Sequence, residues 1–164
     1  MNLIYPVAGI LRRLRTSMNG NGELHNRTLA YTLLRLFLGV NIAMHGISRL
    51  AFDPSHFRAT VEGQFANSPL PHPLVFAFTL TLPWAEASLG LLILAGLFTR
   101  VALAGGALLM VILTFGSSLV QDWQIAGVQL IYAIAYSLLL FALRYNSWSA
   151  DALLGRKFPR IQEP

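Results

Sequence analysis

The stretch LAYTLLRLFLGVNIAMHGISRL, Leu29–Leu50, decides how this chain is read. Its 22 residues rise about 33 Å as a helix, enough to cross a hydrocarbon core of about 30 Å. Three further stretches have the same character: Leu74–Gly96, Val101–Val120 and Ile125–Leu143. Periodicity alone does not separate a buried soluble helix from a membrane span. Four such stretches within 164 residues do, because 55% of the chain is apolar and only 12% is charged. A soluble domain of this size needs about twice that charge to cover its surface. The expected fold is therefore all-α: an integral membrane four-helix bundle.

The basic residues sort by side. Arg12, Arg13, Arg15 and Arg27 precede the first span, Arg100 sits in the second turn, and Arg144, Arg156, Lys157 and Arg160 follow the fourth. Arg49 and Arg58 lie on the other side, and Arg35 lies within the first span. The positive-inside rule then puts both termini in the cytoplasm of a bacterial inner membrane. The net charge of +5 reads as an orientation signal with anionic-lipid contact, not as a nucleic-acid footprint. The chain has no cysteine, which excludes disulfides, thiol catalysis, thiolate-held iron–sulfur clusters and c-type haem attachment within it.

Outside the spans, residues 1–27 read as an N-terminal cytoplasmic or interfacial segment. Leu3, Ile4, Val7, Ile10, Leu11 and Leu14 recur at helical spacing, and Ser17–Gly22 reads as a flexible link. A disordered tail is the competing reading of this segment. Residues 28–155 form the four-span domain, and 156–164 a cytoplasmic tail. In the outer loop, Asp53-Pro54 is an N-cap and first-turn pair. Phe57, Val61 and Phe65 follow four residues apart, and Pro69, Pro71 and Pro73 end the pattern. This predicts a short amphipathic helix over about 54–66, laid across the outer ends of the spans.

Few polar residues lie in the hydrocarbon, and such residues mark sites or internal pairs. They are Arg35, Asn41, His45 and Arg49 in the first span, Glu86 in the second and Gln129 in the fourth. Counting depths from the inner span ends brings Arg35 within reach of Glu86. It puts Gln129 near the level of His45 and Arg49. Asn41, His45 and Arg49 are four apart and share one helix face. Together these form an expected polar track.

Two roles compete for that track. In one, an Arg35–Glu86 pair and a bonded histidine hold the bundle together. In the other, the track receives a lipid-soluble quinone. His45 and Glu86 then act as the catalytic pair. Arg35, Asn41, Arg49, Trp84 and Gln129 bind the ligand, with Trp84 and Phe37 beside the ring. A proton path or substrate channel would use the same residue types. No metal or haem site is expected: His56 and His72 lack ligand spacing, and His45 is the only histidine within a span. The chain shows no paired broken helices of the kind transporters use.

The segments LPWAEASLGLLILAGLFTR (Leu82–Arg100) and RLFLGVNIAMHGISRL (Arg35–Leu50) resemble motifs of the DoxX family, with Arg49 in place of the commoner lysine. FANSPLP (Phe65–Pro71) and RYNSWSADALL (Arg144–Leu154) resemble it too, so the likeness covers about 28–155. The resemblance implies a four-helix inner-membrane protein. Members of that family include the quinone-reducing membrane subunit of a thiosulfate:quinone oxidoreductase and membrane anchors of redox assemblies. Arg35, His45, Arg49, Glu86 and Arg100 are the site residues it carries over. The function expected is a quinone-interacting oxidoreductase subunit in contact with lipid and other subunits. The alternative is a non-catalytic anchor or accessory subunit stabilising a larger membrane complex.

The charge pattern makes a topological prediction. A fluorescent reporter that matures only in the cytoplasm should be bright when fused after Pro164, and dark when inserted near Ser68 in the outer loop. The reverse pattern would refute the charge reading.

Overall fold

A computed structural model describes the backbone of residues 4–155 and the side chains of residues 22–155. The elements are α1 (Ile4–Ala51), α2 (Pro54–Gln64), α3 (His72–Ala95), α4 (Thr99–Leu119), α5 (Trp123–Phe141), a 3₁₀ turn (Leu143–Tyr145) and α6 (Ala150–Leu153). Among the described residues there is no strand. Gly22–Ala51 of α1, with α3, α4 and α5, are the four helices long and apolar enough to cross a membrane. The architecture is the expected all-α membrane bundle.

One local expectation changes. Ser17–Gly22 is not a link: α1 runs through it without a break. Glycine costs a helix about 1 kcal/mol but keeps its N–H, whereas proline removes the bond outright. With no proline between Pro6 and the end of the first span, nothing forces a turn. The expected interfacial contacts of Leu3 to Leu14 and the tail 156–164 lie outside the described residues or side chains.

α1 and α3 pack antiparallel along a seam of small residues. A Cβ on Gly39 would lie 2.7 Å from the Leu94 backbone nitrogen and 2.8 Å from its Cα. One on Gly90 would strike the Ala43 backbone, and one on Gly46 would strike Ala87 and the Pro83 carbonyl. Backbones this close gain dispersion contacts that no larger residue allows, and such contacts drive helix association in lipid. Pro83 stays inside α3 without ending it.

α4 and α5 complete the bundle. Gly106 of α4 makes room for the Tyr136 ring of α5, which is fully buried. Leu38, Ile42, Leu82, Ile93, Leu103 and Met110 fill the space between the two pairs. The outer faces carry Phe37, Val101, Ile131 and Phe141, each at least 67% exposed in the isolated chain. In a bilayer these side chains face acyl chains. α2 is capped as expected, with Asp53 accepting from the His56 backbone N–H, and it contains no buried residue. It lies as a strap over the ends of the spans.

The seam makes a testable claim. Gly90→Val should abolish recovery of monodisperse protein in detergent, because the clash is with backbone that cannot swing away. Gly127→Ala in α5 meets nothing within 4 Å. It should hold or raise the melting temperature, since alanine favours a helix by about 1 kcal/mol over glycine. Equal behaviour of the two variants would refute the seam.

Candidate functional site

The seam fixes which polar residues meet. With Gly39 opposite Leu94, and Ala43 opposite Gly90, Glu86 lies level with the segment between His45 and Arg49. The expectation had aligned Leu29 with Gly96. That is a slip of about eight residues, or ~12 Å along the helix axis. The Arg35–Glu86 pair is therefore not formed. Glu86 pairs with Arg49 instead.

Arg35 has another partner set. It is 2% exposed, and its guanidinium donates to the carbonyls of Ile93 at 2.6 Å, Leu94 at 2.8 Å and Trp148 at 2.9 Å. Two of these are carbonyls at the C-terminus of α3, where the helix dipole favours a cation. Gly96 then takes the left-handed conformation, φ 67°, and ends the helix. A Cβ there would crowd Ser149 and the Arg35 guanidinium.

Beside it, Asp151 serves the opposite pole. This carboxylate is 1% exposed and accepts from the N–H of Phe98 (2.9 Å), the N–H of Thr99 (2.7 Å) and the Thr99 hydroxyl (2.8 Å). It thus caps the N-terminus of α4 from a distant part of the chain. Asn146 Nδ2 donates to Thr99 Oγ1 at 3.0 Å and ties the 3₁₀ turn into the cluster. At the rim of this end, Arg27 donates to the Tyr145 hydroxyl, and that bond is the chief reason the phenol's pKa lies below its ordinary value. Arg35, Thr99, Asn146 and Asp151 close one end of the bundle. None of them lines the cavity under α2.

An opening lies at the other end, under α2. A cavity of about 440 Å³ lies between α2 and the ends of α3, α4 and α5. Phe57 and Val61 of α2 and its C-cap Phe65 roof it, and Phe78, Leu113 and Phe115 line its walls. This is within the usual size range of a small-molecule site. The polar groups that reach it are few. Arg49 enters from α1, with its guanidinium 4.6 Å from the Phe57 ring centroid and its charge balanced by the buried Glu86. Gln129 enters from α5, held by its Nε2 to Ser117 Oγ at 3.0 Å.

The remaining sequence candidates fall elsewhere. Asn41 accepts from the Tyr132 hydroxyl at 2.9 Å inside the bundle and does not line the cavity. His45 is exposed, and its Nδ1 donates to the Asn41 carbonyl at 2.9 Å. Four residues turn a helix by 400°, so an i, i+4 stripe drifts by about 40° per step. The three therefore share an arc of about 80° with His45 in the middle; Asn41 is drawn in by Tyr132 and the long Arg49 by Glu86, while His45 stays exposed. Trp84 is 67% exposed on the outer face of α3, and Phe37 is 75% exposed on that of α1. Arg100 is exposed near the start of α4, so of the eight site candidates the cavity gathers Arg49 and Gln129, with Glu86 behind Arg49. Among the described residues no cluster of metal-ligating side chains occurs.

The reading from the chain alone missed Ser117, Asp151, Thr99 and Asn146. Asp151 left one signal: an acid in a charge-poor chain, inside the segment RYNSWSADALL. Ser117 left none, because serine is common in spans and usually bonds its own helix.

The family described as methylamine utilisation protein MauE matches residues 27–127. This chain belongs to the MauE family. Curated proteins and solved structures give no match. The resemblance to DoxX is thereby corrected. The quoted segments are rich in residues that build the bundle: Gly39, Gly46 and Gly90 make the seam, Arg35 and Gly96 end α3, and Thr99 starts α4. Such marks describe how four spans pack and turn, so they do not single out one family. The match runs through α1 to α4 into α5 and includes Arg49, Phe57, Glu86 and Ser117. It supports a multi-pass membrane protein.

The Arg49–Glu86 pair predicts its own energetics. Removing one partner leaves the other charge stranded, at a cost of about 3 kcal/mol for a largely buried pair. Arg49→Leu should therefore lower thermal stability in detergent markedly, while Arg49→Leu with Glu86→Leu should recover most of it. A double variant as unstable as the single one would refute the pairing.

Proposed function

We propose that this MauE-family protein is the quinone-binding subunit of a redox system of the methylamine-utilisation type, in a bacterial inner membrane with both termini in the cytoplasm. The observation that carries the reading is the cavity under α2. Its walls are aromatic and aliphatic, and its principal charge is already neutralised. Arg49 keeps donor N–H groups, but Glu86 cancels its net charge. A site of that kind favours a neutral ligand bearing a hydrogen-bond acceptor over an anion. A quinone fits: its ring packs between phenylalanines and one carbonyl accepts from Arg49.

In this reading Arg49 binds the carbonyl and Glu86 positions Arg49 and stands where a proton can be passed toward it. Reduction of a quinone takes two electrons and two protons. The chain has no cysteine, so its own thiols do not supply the electrons, which come from a partner subunit or from the substrate itself. α2 excludes water from the ring. His45 is assigned no step at the cavity.

A second reading has its own support. His45 and Trp84 project from the bundle where a neighbouring helix would meet them. Arg35 and Asp151 serve the helix ends that close one end of the bundle. These features suit an accessory subunit that stabilises a larger membrane complex without touching a ligand.

A photoreactive quinone analogue separates the two. Added to native membranes, it should label peptides containing Phe57, Phe65 or Phe115, and excess unmodified quinone should suppress the labelling. Arg49→Leu with Glu86→Leu should reduce it about tenfold, the worth of a hydrogen bond to a charged group. Absent labelling, with a partner complex recovered in stoichiometric amount, would favour the accessory role.

A further inference from the structure

We infer that the cavity opens sideways into the acyl chains between α3 and α4, and that its ligand is an amphiphile whose hydrocarbon chain lies in that slot. This rests on the quinone reading above and narrows it to a quinone bearing an alkyl or prenyl chain. Five residues of α4 line the cavity: Ser117, Leu113, Gly116, Ile112 and Phe115. At about 100° per residue they step round the helix, in that order and in one sense, by roughly 0°, 40°, 100°, 140° and 200°. Ser117 faces α5, where it holds Gln129. Phe115 faces outward and is 62% exposed, with Ile112 at 47%. The cavity thus follows the wall of α4 from the interior of the bundle to its lipid side.

The facing wall behaves the same way. Leu82, Phe78 and Leu74 of α3 line the cavity about one turn apart and drift by about 40° per step. Leu82 is 4% exposed, Phe78 is half-buried and Leu74 is 55% exposed. α3 and α4 run antiparallel across their tight turn. Drifts of one sense along the two chains therefore turn opposite ways in space, as the two sides of one slot must. The polar groups Arg49, Ser117 and Gln129 sit at its inner side. Thr60 and Gln64 of α2 are exposed and line the roof, so a second way out leads past polar side chains to water.

Length and polarity together choose between the two exits. The lining from Leu74 to Leu82 covers about 12 Å along α3, much more than a single ring needs. The ring occupies the end where Arg49 donates, and whatever continues beyond it must be apolar to match Leu74, Ile112 and Phe115. A chain leaving by the slot stays in hydrocarbon throughout. Leaving past Thr60 and Gln64, it would meet water and strip it from both side chains. Gly116 keeps the middle of the slot open. A Cβ there would lie 3.4 Å from the Phe65 ring, so a larger side chain reaches into the passage that Phe65 borders.

The test uses full-length protein in lipid nanodiscs and two probes built on one benzoquinone ring. The first has no chain, and the second has a decyl chain ending in a diazirine. On illumination the chain end should label peptides containing Leu74, Ile112 or Phe115, and excess unlabelled decyl quinone should suppress the labelling. Gly116→Leu should weaken binding of the decyl probe about tenfold more than that of the chainless one, the scale of an overfilled packing site. Ile112→Trp narrows the slot from its lipid side. It should shift the same ratio, and it carries the test if the leucine variant fails to fold. Suppressible label on the Thr60–Gln64 peptide instead, or equal weakening of both probes in both variants, would overturn the slot and leave the quinone site standing. Binding of neither probe to the unaltered protein would overturn both.

Discussion

The backbone contact between α1 and α3 is the constraint on which the rest of this molecule depends. Gly39, Gly46 and Gly90 leave no room for a side chain, so the two helices cannot slide past each other. A slip of one turn would drive Ala43, Leu94 or Ala87 into a backbone. This is a registry device made of absent atoms. In lipid it acts where the hydrophobic effect cannot, since acyl chains cover apolar side chains as well as a neighbouring helix does. Once the register is set, Glu86 lies beside Arg49 and the end of α3 lies beside Arg35. Neither partner has a choice.

That dependence explains what the sequence made legible. The four spans and the strap α2 could be read because each is written locally: apolar length for the spans, Asp53-Pro54 and a four-residue aromatic stripe for α2. The pairing of Arg35 with Glu86 failed because it was not local. It rested on where each span begins relative to the other, and apolar length leaves that free to slide by a turn or two. The glycines that remove the freedom were visible, and Gly39 and Ala43 read as a close-packing pair. Which backbone lay opposite was not. Asp151 and Ser117 are hidden for the same reason, since each acts on a residue of another helix or turn.

The buried polar residues divide into two kinds of work. At the closed end Arg35 faces the carbonyl pole of α3, while Asp151 faces the amide pole of α4. The tight turn between those helices brings two opposite poles into one place, and two opposite charges satisfy them. Each charge is held by backbone dipoles as well as by its hydrogen bonds. At the open end the logic reverses. Arg49 and Glu86 meet each other, not helix poles, and Arg49 keeps donors to spare. A residue locked by three carbonyls has little left to offer a ligand. One held by a single carboxylate does.

The strap and the charge pair are joined at one point. Phe57 of α2 stacks on the Arg49 guanidinium, so the aromatic roof and the cation steady each other. Any molecule that lifts α2 on entering removes that contact, and Arg49 gains freedom to turn toward the newcomer. α2 has no buried residue of its own, and its hold on the bundle rests on half-buried rings such as Phe57 and Phe65. Few contacts anchor it, which places it at the low-stability end of the fold, where entry costs least. The rigid glycine seam and the lightly held strap are thus complementary: the seam fixes Arg49 and Glu86 to the bundle, and the strap roofs the cavity that Arg49 enters.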